Sequence, residues 1–245
     1  MIRLFHISDL HFGAEDRLAL EWFERTVAAD NPDAIIVTGD LTLRARPREF
    51  RAAAEWLKKL GRPITIEPGN HDLPYFDLWA RFLAPYDRFR AVERAIEKPL
   101  ELAGVAVVPL KSTARFQWRF DWSKGHVGRK SLRNTLRLIA AVPRERRIFV
   151  ATHHPLIEAG TRSSARTHGG EHALRVLARA GVRAVLTGHV HDPFDVTHEI
   201  DGLPIRLIGA GTLSERTRAS APSFNEIRVE DGGFKSIPRR MGLCG

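Results

Sequence analysis

Arg3-Leu4-Phe5-His6-Ile7-Ser8-Asp9-Leu10-His11 runs from a short apolar stretch straight into an aspartate and a histidine two positions apart. The arrangement recurs at Ala34-Ile35-Ile36-Val37-Thr38-Gly39-Asp40 and at Ala184-Val185-Leu186-Thr187-Gly188-His189-Val190-His191. Short apolar runs bounded by turn residues read as strands buried on both faces. Leu4–Ser8, Ala34–Thr38 and Ala184–Thr187 are therefore expected as strands, each delivering a carboxylate or imidazole at its carboxyl end. That end is where open α/β sheets bind their ligands.

Between these strands lie helical patterns. An amphipathic helix is expected around Leu18–Ala29, broken by Asn31-Pro32-Asp33, and a second over Pro47–Leu60, stopped by Gly61 before a strand at Ile64–Glu67. Strands alternating with helices indicate βαβ units, a largely parallel sheet and the α/β class. Leu73–Ile96 is helical in pattern but interrupted by Pro74 and Pro85, and Leu100–Leu102 with Val105–Leu110 reads as a hairpin about Ala103-Gly104. The helix Ser131–Ala141, the strand Arg147–Thr152 and the helix His172–Ala180 follow. The tail turns to short strands at Phe194–Ile200, Ile205–Ile208 and Phe224–Val229, with a turn at Asp201-Gly202. Neither an internal repeat nor a linker divides the chain, so residues 1–245 are expected to form one domain.

Composition narrows the class. The chain has 245 residues, 43% hydrophobic, enough for a core. The strand-like opening leaves no room for a signal peptide, and no apolar run approaches membrane-spanning length. Cys244 is the one cysteine, which excludes a disulfide framework or a thiolate zinc site. A cytoplasmic protein without membrane association is expected, as a monomer or homodimer. A formal net charge of +9 favours an anionic substrate, although an arginine-rich surface has the same effect.

The chemistry-bearing segments are Asp9-Leu10-His11, Gly39-Asp40, Gly69-Asn70-His71-Asp72, Thr152-His153-His154-Pro155 and Gly188-His189-Val190-His191. Asp, His and Asn supply oxygen and imidazole donors that suit a pair of divalent metals. If extended geometry persists past the strands, Asp9 and His11 emerge on one face, as do His189 and His191. A single histidine is more often a satisfied core or surface residue than a ligand; two pairs at this spacing, both bordering strands, reverse that preference. There is no Gly-x-Ser-x-Gly elbow, Gly-x-x-x-x-Gly-Lys loop or Gly-x-Gly-x-x-Gly fingerprint, which disfavours a serine nucleophile or nucleotide binding of those kinds.

Taken in order, these segments resemble the calcineurin-like metallophosphoesterase family, over residues 9–191. The resemblance implies a four-layer sandwich: two mixed β-sheets packed face to face, with flanking helices. It also implies that Asp9, His11 and His191 bind one metal, that Asn70, His153 and His189 bind the other, and that Asp40 bridges them. His153 is preferred to His154 because the family's ligand directly follows the strand, which Thr152 closes. Two divalent ions of Mn, Fe, Zn or Co would then generate hydroxide to attack phosphorus. His71 would act on the leaving-group oxygen as proton donor. Asp72 either orients an imidazole or begins the next turn.

His6-Ile-Ser-Asp-Leu-His11 and Thr38-Gly-Asp-Leu-Thr42 are similar to the bacterial cyclic-nucleotide and glycerophosphodiester phosphodiesterase branch. A phosphodiesterase acting on small diesters, 3′,5′-cyclic nucleotides among them, is the first expectation. The alternatives are a phosphomonoesterase, a nuclease acting on nucleic acid (not favoured), and a non-catalytic interaction scaffold, which should lack several ligands. A lipid-cleaving branch carries Arg at the position of His71 and an apolar lid, against which residues 112–130 are too polar. His154 is expected either behind the ligand His153 or facing substrate, and further substrate contacts are expected from Arg162, Arg166 and His168 in the loop Gly160–Gly170. The basic and aromatic segment Arg115–Lys130 reads either as a stacking surface or as a solvated loop pinned by buried aromatics.

Overall fold

The computed structural model describes residues 1–74, 77–114, 123–161, 167–217 and 220–242. Its strands are β1 (Ile2–Ile7), β2 (Ala34–Val37), β3 (Ile64–Ile66), β4 (Val105–Pro109), β5 (Arg147–Ala151), β6 (Val182–Thr187), β7 (Phe194–Ile200), β8 (Leu203–Gly209), β9 (Ser223–Glu230) and β10 (Gly233–Arg240). The helices are α1 (Arg17–Asp30), α2 (Pro47–Lys59), α3 (Leu78–Leu83), α4 (Asp87–Ile96), α5 (Arg129–Ala140) and α6 (Gly170–Arg179).

The strands form two five-stranded mixed sheets, ordered β10-β9-β1-β2-β3 and β4-β5-β6-β8-β7. β1, β2 and β3 run parallel, as do β4, β5, β6 and β8, while β9, β10 and β7 run antiparallel to their neighbours. Alternate residues of each central strand serve two cores, which is why these strands are apolar throughout rather than every second residue. Leu4, Ala34, Ile36 and Ile227 meet Phe149, Ala184, Leu186 and Ile208 between the sheets. Phe5, Ile7, Ile35 and Val37 face outward to Phe23, Trp56 and Phe89 of α1, α2 and α4. Val150, Val185 and Leu207 do the same under Leu132, Ile139, Leu174 and Leu177 of α5 and α6. The result is the helix–sheet–sheet–helix sandwich that the family resemblance implies.

Two expectations need correction. The hairpin at Leu100–Leu110 does not form: β4 pairs in parallel with β5 in register Val105↔Arg147, and residues 100–104 make no ladder. Leu102 is instead buried between the sheets as irregular chain, so its apolar character reports packing rather than pairing. The last strand, β10, has no clean alternation and contains Pro238. It forms because it lies at a sheet edge, where a missing N–H costs no ladder bond.

Candidate metal centre

The loops that follow β1, β2, β3, β5 and β6 converge at one rim of the sandwich. The extended geometry expected past the strands does not persist. Asp9, His11, Asp40, His189 and His191 all have left-handed backbones, with φ of 56°, 46°, 53°, 70° and 59°. Such a conformation costs about 1–3 kcal/mol at a non-glycine residue and survives where its surroundings enforce it. Here inter-loop backbone bonds do so: Asp9 N–H to Gly39 O (3.0 Å), His11 N–H to Asp40 O (3.0 Å) and Gly188 N–H to His153 O (2.9 Å). Each pair of side chains is thus brought together by a sharp turn, not by strand pleating. Gly39 belongs to the same device: its φ is 97°, and a β-carbon there would lie 2.5 Å from His153 Nδ1.

Asp9, His11 and His191 form one cluster. His191 Nε2 lies 3.1 Å from Asp9 Oδ1 and 3.2 Å from His11 Nε2, and His11 Nε2 is 3.7 Å from Asp9 Oδ1. His153 lies beside Asn70 and His189, with Nε2 3.1 Å from Asn70 Oδ1 and its ring centroid 5.2 Å from that of His189. Asp40 sits between the two, its Oδ2 3.8 Å from His11 Nε2 and 3.4 Å from His153 Nε2.

The tautomers are set by carbonyl oxygens, which only accept. His191 Nδ1–H donates to Arg216 O (2.7 Å), and His153 Nδ1–H to Thr38 O (2.7 Å). Both rings therefore turn Nε2 toward the carboxylates. Burial raises the Asp9 carboxyl, but His191 and His153 outweigh it and hold it below the usual carboxylate range. Asp40 is likewise held well below that range by His153 and His71 against its own burial. Burial lowers His153, yet Asp40 overrides it and lifts the imidazole to about 9, whereas burial takes His11 to about 3 and His189 to about 4.

These residues fit a pair of divalent cations. Within the cluster the buried Asp9 Oδ1 makes no hydrogen bond, and the Nε2 atoms of His11 and His191 face each other at 3.2 Å, an arrangement that a cation bound between them would relieve. The two carboxylates, the amide oxygen and the imidazoles are the donor set that Mn, Fe, Zn and Co share.

The remaining expected site residues separate clearly. His71 is half-buried beside His11 and Asp40, within ligand range of both, its N–H donating to Asp40 Oδ1 (2.8 Å) and its Nδ1–H to Leu43 O (2.7 Å). Asp72 orients no imidazole. It accepts from the backbone N–H groups of Gly69, Leu41 and Thr42 and from the Thr42 hydroxyl, at 2.9–3.2 Å, and so ties the Asp40 loop to the Asn70 loop. Burial and the nearby Asp40 push its carboxyl up to about 7, against those backbone bonds.

His154 lies within ligand range of His153 and His189, but both of its ring nitrogens are engaged: Nδ1 with Ser112 Oγ (2.9 Å) and Nε2 with Ser123 O (2.8 Å). Fully buried, its ring is turned to Ser112 and Ser123, and it pins the chain around Ser123. His168 is exposed and stacks on His126 at 5.1 Å between centroids. Arg162, Arg166 and the aromatic part of the Arg115–Lys130 segment lie outside the described residues.

Sequence reading missed the stretch between β8 and β9. Thr212 Oγ1 donates to Asp9 O (2.6 Å), Arg216 O holds His191, and Arg216 Nη1 reaches His71 Nε2 at 3.1 Å. Gly-Thr-Leu-Ser-Glu-Arg has no ligand spacing and adjoins no strand-end aspartate, so nothing in it marked a site.

A glycerophosphodiester phosphodiesterase of Enterobacter lignolyticus is 31% identical over 80 residues, 28% of this chain and 29% of that protein. A cAMP/cGMP dual specificity phosphodiesterase of Mycobacterium tuberculosis is 28% identical, with 89% of this chain and 70% of that protein covered. A dimetal phosphatase from Danio rerio shares the fold at 12% identity, with a TM-score of 0.61 over 98% of each chain. The calcineurin-like phosphoesterase family model matches residues 2–193. With the strand-end carboxylates and imidazoles gathered at one rim, the chain belongs to the calcineurin-like phosphoesterase family and is a metal-dependent phosphoester hydrolase.

Proposed function

We propose that this protein is a dinuclear-metal phosphodiesterase that hydrolyses small phosphodiesters, 3′,5′-cyclic nucleotides among them. The observation that carries the reading is the Asp40 carboxylate lying between two sets of donor side chains, with His71 bonded beside it. Asp9, His11 and His191 would hold one ion, Asn70, His153 and His189 the other, and Asp40 both. When bound, such ions polarise the phosphoryl group, lower the pKa of water and offset the charge that develops in the transition state.

The chain's own residues do the rest. Thr38 O and Arg216 O fix the ligand tautomers, and Asp72 fixes the spacing between the Asp40 and Asn70 loops. His71 Nδ1–H is held by Leu43 O, so Nε2 is the atom left to act on the leaving oxygen, once it has taken up a proton. A diester substrate is supported by the similarity to the phosphodiesterases above and by the +9 charge. No described helix is long and apolar enough to cross a membrane. The single cysteine supports a cytoplasmic setting, and the unbroken βαβ order supports one domain over residues 1–245.

The experiment is hydrolysis of 3′,5′-cyclic AMP, bis(4-nitrophenyl) phosphate and 4-nitrophenyl phosphate by Mn-loaded protein, run in parallel. Diester turnover well above monoester turnover is expected. A monoester preference would move the protein to the phosphatases, and no turnover of any substrate would defeat the reading.

A further inference from the structure

The segment 212–216 is fastened to the site through its backbone. Arg216 O accepts from His191, Arg216 N–H donates to Ser214 Oγ (3.4 Å), and Glu215 N–H donates to Ala14 O (3.1 Å). The Arg216 side chain is not fastened in the same way. Its one partner among the described residues is the His71 ring, a neutral acceptor at Nε2, because His71 Nδ1 carries the proton given to Leu43 O. No carboxylate among the described residues pairs with it.

Other arginines of this molecule contrast with it. Arg228 and Arg239 each reach Glu226 at 2.6 Å, and Arg206 reaches Asp195 at 2.6 Å with two parallel bonds. A half-buried guanidinium that meets only a neutral ring forgoes the charge-assisted bonds its planar fork is built to make. It reaches His71 Nε2, and His71 in turn lies within ligand range of His11 and Asp40.

We infer that Arg216 is the anion-recognising residue of this site, transferring its guanidinium from His71 Nε2 to a non-bridging oxygen of the substrate's phosphoryl group. The inference rests on the phosphoester-hydrolase reading above and adds to it a residue for substrate affinity. The transfer also frees the His71 Nε2 lone pair, which can then take up from solvent the proton that a leaving-group donor needs. Recognition of the anion and availability of His71 are thereby coupled through one side chain.

The test uses inorganic phosphate as the probe, titrated calorimetrically into the Mn-loaded full-length chain, with bound metal counted in every sample. R216Q is expected to keep the wild-type metal content and to bind phosphate about 10–100-fold more weakly, the scale of a charge-assisted bond pair. R216K, which keeps charge but loses the fork, should fall between R216Q and wild type. With bis(4-nitrophenyl) phosphate, KM should rise by more than kcat falls. Unchanged phosphate affinity in R216Q, or loss of metal from it, would overturn the inference, as would wild-type protein that binds no phosphate. If wild type cleaves none of the three phosphoesters but its phosphate binding depends on Arg216, the functional reading falls and this one stands. Active wild type with phosphate binding indifferent to Arg216 gives the reverse.

Discussion

Asp40 lies between the two clusters: its Oδ2 approaches an imidazole from each, while Oδ1 accepts from the His71 backbone N–H. Replacing it removes the shared ligand and leaves His11 and His153 facing a gap. Asp40→Ala should therefore lose both ions together, measured as metal content after gel filtration; retention of two tightly bound ions would disprove the bridging assignment. His71 differs, because it holds no position between the clusters. His71→Ala is expected to keep its metal and lose about 10²–10⁴-fold in turnover, the usual scale for a general acid. The loss should shrink for 4-nitrophenolate leaving groups relative to alkoxides, and an equal loss for both would remove the proton-donor role.

At the level of elements, the strands aim the site and the loops build it. Five strand ends deliver the ligand loops, but the five left-handed residues in them are stable only while neighbouring loops hold one another. Asp72 is the main fastener, with four bonds to two loops from a 3₁₀ turn at Asn70–Asp72. Asp72→Ala strands three buried N–H groups, at about 1–3 kcal/mol for each one that water does not reach. Loss of about 3 kcal/mol or more in urea unfolding is expected, together with weakened metal binding, although Asp72 is not placed as a ligand. A variant with wild-type stability and metal content would show that the loops are held by other means.

Across the whole molecule, the two sheets are joined by apolar packing and by a small polar bridge. His6 of β1 bonds Thr38 Oγ1 through Nε2 (2.9 Å), and Asn225 of β9 reaches both His6 Nδ1 (3.4 Å) and Gly209 O of the second sheet (2.9 Å). Burial lowers the His6 imidazole to about 3, against a smaller pull upward from Asp9. The unfolded chain takes up this proton near pH 6.5 and the folded chain near pH 3, so stability is lost as pH falls through that window, by about 1.4 kcal/mol per unit for this one group. Urea unfolding of chelator-treated protein from pH 7 to pH 4 should show a shallower decline for His6→Gln than for wild type. Parallel declines would mean that His6 does not titrate on unfolding.

Strand-end aspartates and histidines were legible because a buried strand needs an unbroken apolar run and a ligand needs a specific donor, so each leaves a mark in adjacent letters. The βαβ order followed from those marks, while the two-sheet architecture and the grouping of Asp9, His11, Asp40, Asn70, His153, His189 and His191 as ligands came from the family resemblance that the marks carry. Local letters do not record which distant groups saturate a side chain. Whether Asp72 held an imidazole or a loop, whether His154 faced substrate or Ser112 and Ser123, and whether Leu102 sat in a strand depended on neighbours far along the chain. Arg216 is the clearest case: its carbonyl and its guanidinium serve residues 25 and 145 positions away. Such contacts exist only once β8 and β9 have closed against both sheets, and only the tertiary structure could decide them.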